Sequence, residues 1–145
     1  MNNVIELSNG RSNADYEERR RYPNFTIQKE GPLIYAIQNK FSGQYYIGKT
    51  PGSAMHRWYA HIYNSENLNN KFARAIRESD VTHWTFTVLE LVEFPVGKVK
   101  KEFFDEFVRY RETEWILKYN SINNGYNIGV SNKEYEIWRT VLNAH

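Results

Sequence analysis

Two tyrosines and an arginine–histidine pair are the residues of this sequence whose types and spacing could act together in chemistry. Tyr35 and Tyr46 lie in two short segments, 33–37 and 45–48, that are rich in strand-forming residues. Arg57 and His61 follow at a spacing of i, i+4, so one face of a helix would present both. A guanidinium stays charged and can bind two oxygens of an anion at once, and a histidine can accept or hold a proton.

Each of these residues also has an ordinary explanation when it is taken alone. A phenol has a pKa of about 10 and is a poor base at neutral pH, unless cations or a hydrogen-bond partner stabilise the phenolate. Tyr35 and Tyr46 could simply pack on the faces of a sheet, Arg57 could be a solvated helix residue, and His61 a surface histidine. The pattern of the surrounding chain therefore has to decide.

Composition removes several classes of site. The chain has 145 residues and no cysteine, which excludes a disulfide framework, a thiolate zinc finger, an iron–sulfur site and a cysteine nucleophile. Its net charge of +2 is too small to indicate nucleic acid by itself, and its aromatic content of 16% decides nothing alone. Without an apolar run of about 20 residues or a signal-peptide core, it is expected to be cytoplasmic, with no membrane partner.

Strand and helix signals along the chain define the elements that must position the four residues. Strands are predicted at 33–37, 45–48 and 84–91, and helices at about 54–63, 70–78, 98–119 and 131–142. Gly31-Pro32 marks the start of the domain, which spans 31–145 and includes the C-terminal helix. The order ββααβαα predicts an α+β fold with a three-stranded antiparallel sheet flanked by helices.

The two strand segments resemble a known pair of motifs. Leu33-Ile34-Tyr35 followed by Tyr46-Ile47-Gly48 is similar to the paired motif that gives the GIY-YIG nucleases their name. Tyr46 follows Tyr35 by 11 residues, a separation typical of that family. Leu33 stands where the name-giving residue is glycine, a difference that need not affect catalysis.

Three further signature positions follow in the order of the family. Arg57 lies in the predicted helix after the second strand, Glu112 lies in the long predicted helix, and Asn127 closes the set after a turn. The pattern covers about residues 33–128. The segments around these three residues resemble those of phage intron-encoded homing endonucleases.

The resemblance implies hydrolysis of DNA phosphodiester bonds by direct attack of water, leaving 5′-phosphate and 3′-hydroxyl ends. It implies that Glu112 holds a single Mg²⁺ ion, for which Mn²⁺ may substitute, because one carboxylate plus phosphate oxygens and waters is a usual Mg²⁺ site. Glu114 lies two residues further along the same helix and is expected to point elsewhere. Arg57 would stabilise charge on the phosphate.

The remaining roles also follow from the resemblance. Tyr35 would take the proton of the water and Tyr46 would position the water or the phosphate, although the two roles could be exchanged. His61 would orient a tyrosine hydroxyl or the water, or accept a proton. Lys49 would contact phosphate, and Asn127 is expected to brace the site rather than react.

Target recognition is left open, because homing relatives carry a long DNA-binding tail and only residues 129–145 follow the last motif here. Asn70 also replaces a histidine that some relatives have. Residues 1–30 form a polar, net-neutral arm, expected to be partly ordered with a short helix near 13–21. The alternative is an arm that contacts DNA phosphates, through Arg19, Arg20 and Arg21, or a second subunit.

The sequence therefore predicts a metal-dependent DNA endonuclease with double-stranded DNA as its partner, most similar to a stand-alone phage or mobile-element homing nuclease acting in a bacterial or phage-infected cell. One alternative is a type II restriction endonuclease that acts as a homodimer, since a two-fold symmetric protein suits a palindromic target. Degradative or repair nucleases are further roles for the same chemistry. A catalytically inactive nucleic-acid-binding module is the alternative outside the enzymes.

Overall fold

The structure is a computed structural model that describes residues 4–6 and 31–144. The predicted arm therefore lies almost wholly outside the described residues. This holds for Arg19, Arg20 and Arg21 and for the helix expected near 13–21.

A single antiparallel sheet forms the centre of the molecule. Its strands are β1 (Val4–Glu6), β2 (Leu33–Asn39), β3 (Tyr45–Thr50) and β4 (Trp84–Leu91). They lie in the order β1-β4-β2-β3, with every neighbouring pair antiparallel. The three strands expected from the sequence are confirmed. The short strand β1, from the segment expected to be an arm, adds a fourth at the edge beside β4.

Within residues 31–144, four α-helices flank the sheet in the predicted order. They are α1 (Ala54–Asn64), α2 (Lys71–Arg77), α3 (Phe104–Tyr119) and α4 (Asn132–Asn143). Side chains cap three of them, because Ser53, Asn70 and Ser131 each accept a hydrogen bond from a backbone N–H of the first turn. Asn70, which stands where some relatives have histidine, is therefore explained by its capping of α2.

The start of α3 differs from the prediction. A helix was expected from about Lys98, but a 3-10 turn at Lys101–Phe103 comes first and the α-helix begins at Phe104. Gly97 has a positive φ of 82°, and neither Lys100 nor Phe103 supplies a side-chain cap. The first turn of α3 does contain Asp105 and Glu106, which suit the positive end of the helix dipole.

The two faces of the sheet bury separate cores because successive strand residues point to opposite sides. Leu33, Tyr35 and Ile37 of β2 face α1 and α2, whereas Ile34 and Ala36 face α3 and α4. All five are at most 1% exposed. Strand β2 is thus the central strand of the domain, and its alternation places Tyr35 beneath α1.

Candidate active site

A cleft of about 410 Å³ lies between β3, α1, α2 and the middle of α3. Five of the six residues predicted to be catalytic line it: Tyr46, Arg57, His61, Glu112 and Asn127. The sixth, Tyr35, lies beneath the cleft wall and has no exposed surface. The structure therefore brings all six residues, which span 93 positions from 35 to 127, to one place.

The hydroxyl of Tyr35 connects α1 to the sheet. It lies 2.6 Å from Nε2 of His61, and Nε of Arg57 donates a hydrogen bond to it over 3.3 Å. Burial raises the pKa of Tyr35, and neighbouring Tyr46 raises it further, while Arg57 acts in the opposite direction. The phenol is therefore neutral and keeps its proton at physiological pH.

His61 is held in its neutral form. Burial, together with the charge of Arg57, lowers the pKa of His61 to about 3. A neutral imidazole has one donor and one acceptor nitrogen. In the tautomer that carries the proton on Nδ1, Nε2 accepts the hydrogen bond from the Tyr35 hydroxyl, and the chain of hydrogen bonds runs from Arg57 through Tyr35 to His61.

Helix α1 places Arg57 and His61 on a different face from its core residues. Trp58 and Ile62 are buried under the sheet, whereas Arg57 and His61 line the cleft one turn apart, as their i, i+4 spacing predicted. Burial works against the charge of Arg57, but the hydrogen bond to Tyr35 and the electrostatic effects of Tyr35, Tyr46 and Glu112 together outweigh it, and the pKa of Arg57 is raised. Arg57 thus presents a permanent positive charge to the cleft.

Tyr46 is the signature tyrosine that faces the cleft. Its ring stacks on Phe72 of α2, with centroids 4.1 Å apart and planes within 3°, and meets the edge of His61 at 5.2 Å. Burial raises the pKa of Tyr46, and so does the charge of Glu112. Phe72, a buried core residue, thus fixes the ring of Tyr46 in the site.

Glu112 and Glu114 have separate surroundings, as expected for residues two positions apart on a helix. Burial raises the pKa of Glu112, although the positive charges of Lys49, Arg109 and Arg57 oppose that rise. Glu114 instead accepts hydrogen bonds from the hydroxyls of Tyr110 at 2.7 Å and Tyr135 at 3.1 Å. Glu112 is therefore the acidic residue of this helix that faces the cleft.

A metal ion at this cleft would depend on that one carboxylate. Among residues 4–6 and 31–144, no cluster of three His, Cys, Asp or Glu residues could hold a metal. Glu112 fits a site completed by phosphate oxygens and waters, because Mg²⁺ retains waters and commonly uses one or two carboxylates. Glu112 is partly buried, and the positive charges of Lys49, Arg57 and Arg109 act on it.

Asn127 braces the edge strand β3. Its Oδ1 accepts from the backbone N–H of Ile47 at 2.8 Å and its Nδ2 donates to the carbonyl of Ile47 at 2.9 Å. Ser121 donates a further hydrogen bond to Oδ1 at 2.6 Å. The amide group thus replaces a missing neighbouring strand. Ser121 was not singled out from the sequence, because its position before the turn carries no chemical signal.

Gly48 leaves room for Tyr35, its partner across β2 and β3. A Cβ at position 48 would lie 2.5 Å from Cζ of Tyr35, well inside contact distance. The structure therefore gives this residue a packing role, because the glycine of the second motif accommodates the tyrosine of the first.

Comparisons with known proteins agree with this architecture. The sequence model of the GIY-YIG catalytic domain matches residues 31–127. The catalytic domain of the homing endonuclease I-TevI is 28% identical, with a TM-score of 0.52, over 70% of this chain and 100% of that chain. A substituted form of that domain is 24% identical, with a TM-score of 0.54, over 68% of this chain and 94% of that one. No curated protein matches the sequence.

The comparison supports the three-stranded core and its helices as the shared part of the fold. None of the helices in the described part of the chain has the length and apolar character needed to cross a membrane.

Proposed function

The chain belongs to the GIY-YIG family of catalytic domains. From this premise we propose that it is a metal-dependent DNA endonuclease, which hydrolyses phosphodiester bonds by direct attack of water on phosphorus. Family membership and the similarity to the catalytic domain of I-TevI make it an endonuclease. The observation that carries the proposed mechanism is the placement of the Tyr35 hydroxyl between Arg57 and His61, beside the cleft that also contains Glu112.

The Tyr35–His61 pair is the proposed proton acceptor. A buried phenol cannot lose its proton to solvent cheaply, because burial disfavours the phenolate. Tyr35 would take the proton of the attacking water once bound phosphate has brought that water against its hydroxyl, and its own proton would pass to Nε2 of His61, 2.6 Å away. The pKa of His61 is low in the free protein, and the negative charge of the bound phosphate would raise it. The proton then resides on His61, Tyr35 stays neutral, and hydroxide forms the new bond to phosphorus as the bond to the 3′-oxygen breaks.

Arg57 and Glu112 are proposed to act on the charge of the phosphate. Arg57 has its charge fixed by the Tyr35 hydrogen bond and lines the cleft, so it would bind a non-bridging oxygen and stabilise the negative charge of the transition state. Glu112 would hold a Mg²⁺ ion, which supplies positive charge at the leaving oxygen when bound. Lys49 lies near enough to Glu112 to influence it, and we assign it to the phosphate backbone.

The biological role proposed for this activity is that of a homing-type nuclease of a phage or mobile element. The similarity to the catalytic domain of I-TevI, a homing endonuclease, supports this role. A restriction endonuclease acting as a dimer is the second candidate from the same chemistry. Cleavage mapping separates them, because a dimer that cuts a palindrome leaves symmetric breaks at short sites.

The test is cleavage of a long mixed-sequence duplex by the purified protein in Mg²⁺ or Mn²⁺, with mapping of the cut ends. Glu112→Gln should lower the rate about a thousandfold, since a metal ion contributes several kcal/mol to transition-state stabilisation, while DNA binding is retained. Glu102→Gln, an exposed acid just before α3, is the matched control and should cut normally. Wild-type rates in Glu112→Gln would remove Glu112 from the mechanism.

The wild-type protein also tests the alternatives. Discrete cut sites would support homing or restriction, and a smear of products would indicate a degradative nuclease. Binding without cleavage of any DNA form would favour the inactive binding module and would overturn the proposal.

A further inference from the structure

The rotation of α3 about its own axis decides which acidic residue faces the cleft. Residues two positions apart on a helix point about 200° apart, so Glu112 and Glu114 lie on nearly opposite sides. A modest rotation of α3 would withdraw Glu112 from Arg57 and His61. The side chains that hold the angle of α3 are therefore important for the site.

Glu90 of β4 holds α3 through the residue next to Glu112. Its carboxylate accepts two hydrogen bonds from Nε of Arg111, both at 3.1 Å, and one from Nη2 at 2.9 Å. Nε1 of Trp115, one turn later, donates to the same carboxylate at 2.8 Å. The Glu90 and Arg111 side chains are only 24% and 29% exposed, so solvent weakens this forked pair less than an open surface pair.

An irregularity in the sheet places Glu90 on this face. Tyr35 pairs with Val88, but the preceding residue of β2, Ile34, pairs with Glu90, so Leu89 is an extra residue. If β4 were regular over these residues, strand alternation would turn Glu90 to the face of Val88, towards α1 and α2. The bulge redirects Glu90 towards α3, which is a known use of β-bulges beside functional sites.

Helix α4 provides a second tether on another side of α3. Tyr110 and Tyr135 both donate to Oε1 of Glu114, which joins α3 to α4. Arg109 and Glu134 also pair across α3 and α4 at 3.1 Å, with more exposed side chains. Glu112 thus lies in the same helical turns as polar attachments to the sheet and to α4. Among these attachments, the one through Glu90 links α3 to the sheet. It does so through β4, which pairs with β2 at Tyr35.

We propose that Glu90 is a positioning residue: through Arg111 and Trp115 it sets the rotation of α3 so that the Glu112 carboxylate faces the cleft. This inference rests on the proposed function, because it assigns Glu90 to the metal-binding side of that reaction. This positioning role requires neither a contact between Glu90 and DNA nor a change in the charge of the Glu90 carboxylate.

The test compares Glu90→Gln with Glu136→Gln. Gln keeps the shape of the side chain but cannot accept the full fork from Arg111. Glu136 pairs with Arg139 on the exposed face of α4, at 3.8 Å with both side chains more than half exposed, so its replacement removes an equal charge away from the site. Binding of Mn²⁺ to the protein–DNA complex is measured by electron paramagnetic resonance, and cleavage gives kcat and the KM for DNA.

Glu90→Gln should weaken Mn²⁺ binding and lower kcat by about tenfold to a hundredfold, the usual effect of losing an outer partner of a metal site, with the KM for DNA unchanged. Glu136→Gln should match the wild type. Arg111→Lys keeps the charge but loses the fork, so it should reproduce the metal defect, and it replaces Glu90→Gln in the comparison if that variant does not fold.

If folded Glu90→Gln bound Mn²⁺ with an affinity within twofold of that of Glu136→Gln, the inference would be overturned. A change in melting temperature would not alter that conclusion. A wild-type protein that neither cleaves DNA nor binds Mn²⁺ in the complex would instead defeat the proposed function. The two failures are therefore distinguishable.

Discussion

Acidification of the free protein should remove stability through His61. The pKa of His61 is lowered from 6.5 to about 3 by burial and by Arg57. Between these two values the folded protein binds fewer protons than the unfolded chain, so stability rises with pH over that window and falls as the pH drops below 6.5. The stability contributed by neutral His61 is complete above the unfolded pKa.

The size of the effect follows from the two pKa values. Between pH 7.5 and pH 5.0 the unfolded chain protonates His61 almost fully and the folded protein hardly at all, which amounts to a loss of about 2 kcal/mol. Protonation would also remove the acceptor for the Tyr35 hydroxyl, since an imidazolium has no lone pair to offer.

The assay is urea unfolding at pH 7.5 and pH 5.0, followed by tryptophan fluorescence. His61→Gln is the comparison, because Gln cannot ionise but can still accept a hydrogen bond from Tyr35. The loss of unfolding free energy on acidification should be about 2 kcal/mol larger in the wild type than in the variant. Equal losses in the two proteins, or an NMR titration of the His61 ring near pH 6.5, would refute the neutral, buried histidine and with it the direction of the hydrogen-bond chain.

Four further predictions test other parts of the site. Gly48→Ala should cost about 1–3 kcal/mol of stability through overpacking against Tyr35 and impair cleavage, whereas Gly52→Ala, with open space around it, should be neutral in unfolding assays; equal behaviour would contradict the packing reason for Gly48. Asn127→Ala should cost about 2–4 kcal/mol in urea unfolding, because two backbone groups of Ile47 lose their partners; a loss below about 0.5 kcal/mol would mean that water replaces the amide. Tyr35→Phe should lower the cleavage rate more than Tyr46→Phe, because only Tyr35 lies in the proposed proton path to His61; the reverse order would exchange the two roles, and normal rates in both variants would refute the tyrosine base. Replacing Arg19, Arg20 and Arg21 together by Gln should reduce the salt dependence of DNA binding, by a slope of about 0.9 for each DNA phosphate that is no longer neutralised, and an unchanged slope would show that the arm does not bind phosphate.

Local patterns were enough to predict the order of the elements and most of the site. The period of two in residues 84–91 and the i, i+4 spacing of Arg57 and His61 reflect geometry within one strand or helix, so they can be read without knowing what packs against them. Helix geometry also predicted that Glu112 and Glu114 point apart, and the family motif indicated Glu112 as the residue of the site. The family motif then supplied the roles that spacing alone left open.

Tertiary contacts decided how those residues are held. Tyr35 and Tyr46 look alike in sequence, but the central strand buries the first completely while the edge strand leaves the second in the cleft. Asn127 reaches Ile47 from 80 residues away, and Glu90 faces α3 only because an extra residue shifts the register of β4. The start of α3 was predicted too early because apolar spacing alone does not show where a cap is missing.

The sequence by itself therefore determined the α+β class, the element order and five of the residues that line the cleft, because those depend on short-range periodicity and motif spacing. Only the tertiary structure decided that Tyr35 is a neutral phenol between Arg57 and His61 and that Gly48 leaves room for its ring. The same holds for the proposed role of Glu90 in orienting the helix of Glu112. Burial, strand register and hydrogen bonds between distant segments set those properties, and none of them leaves a local signal in the chain.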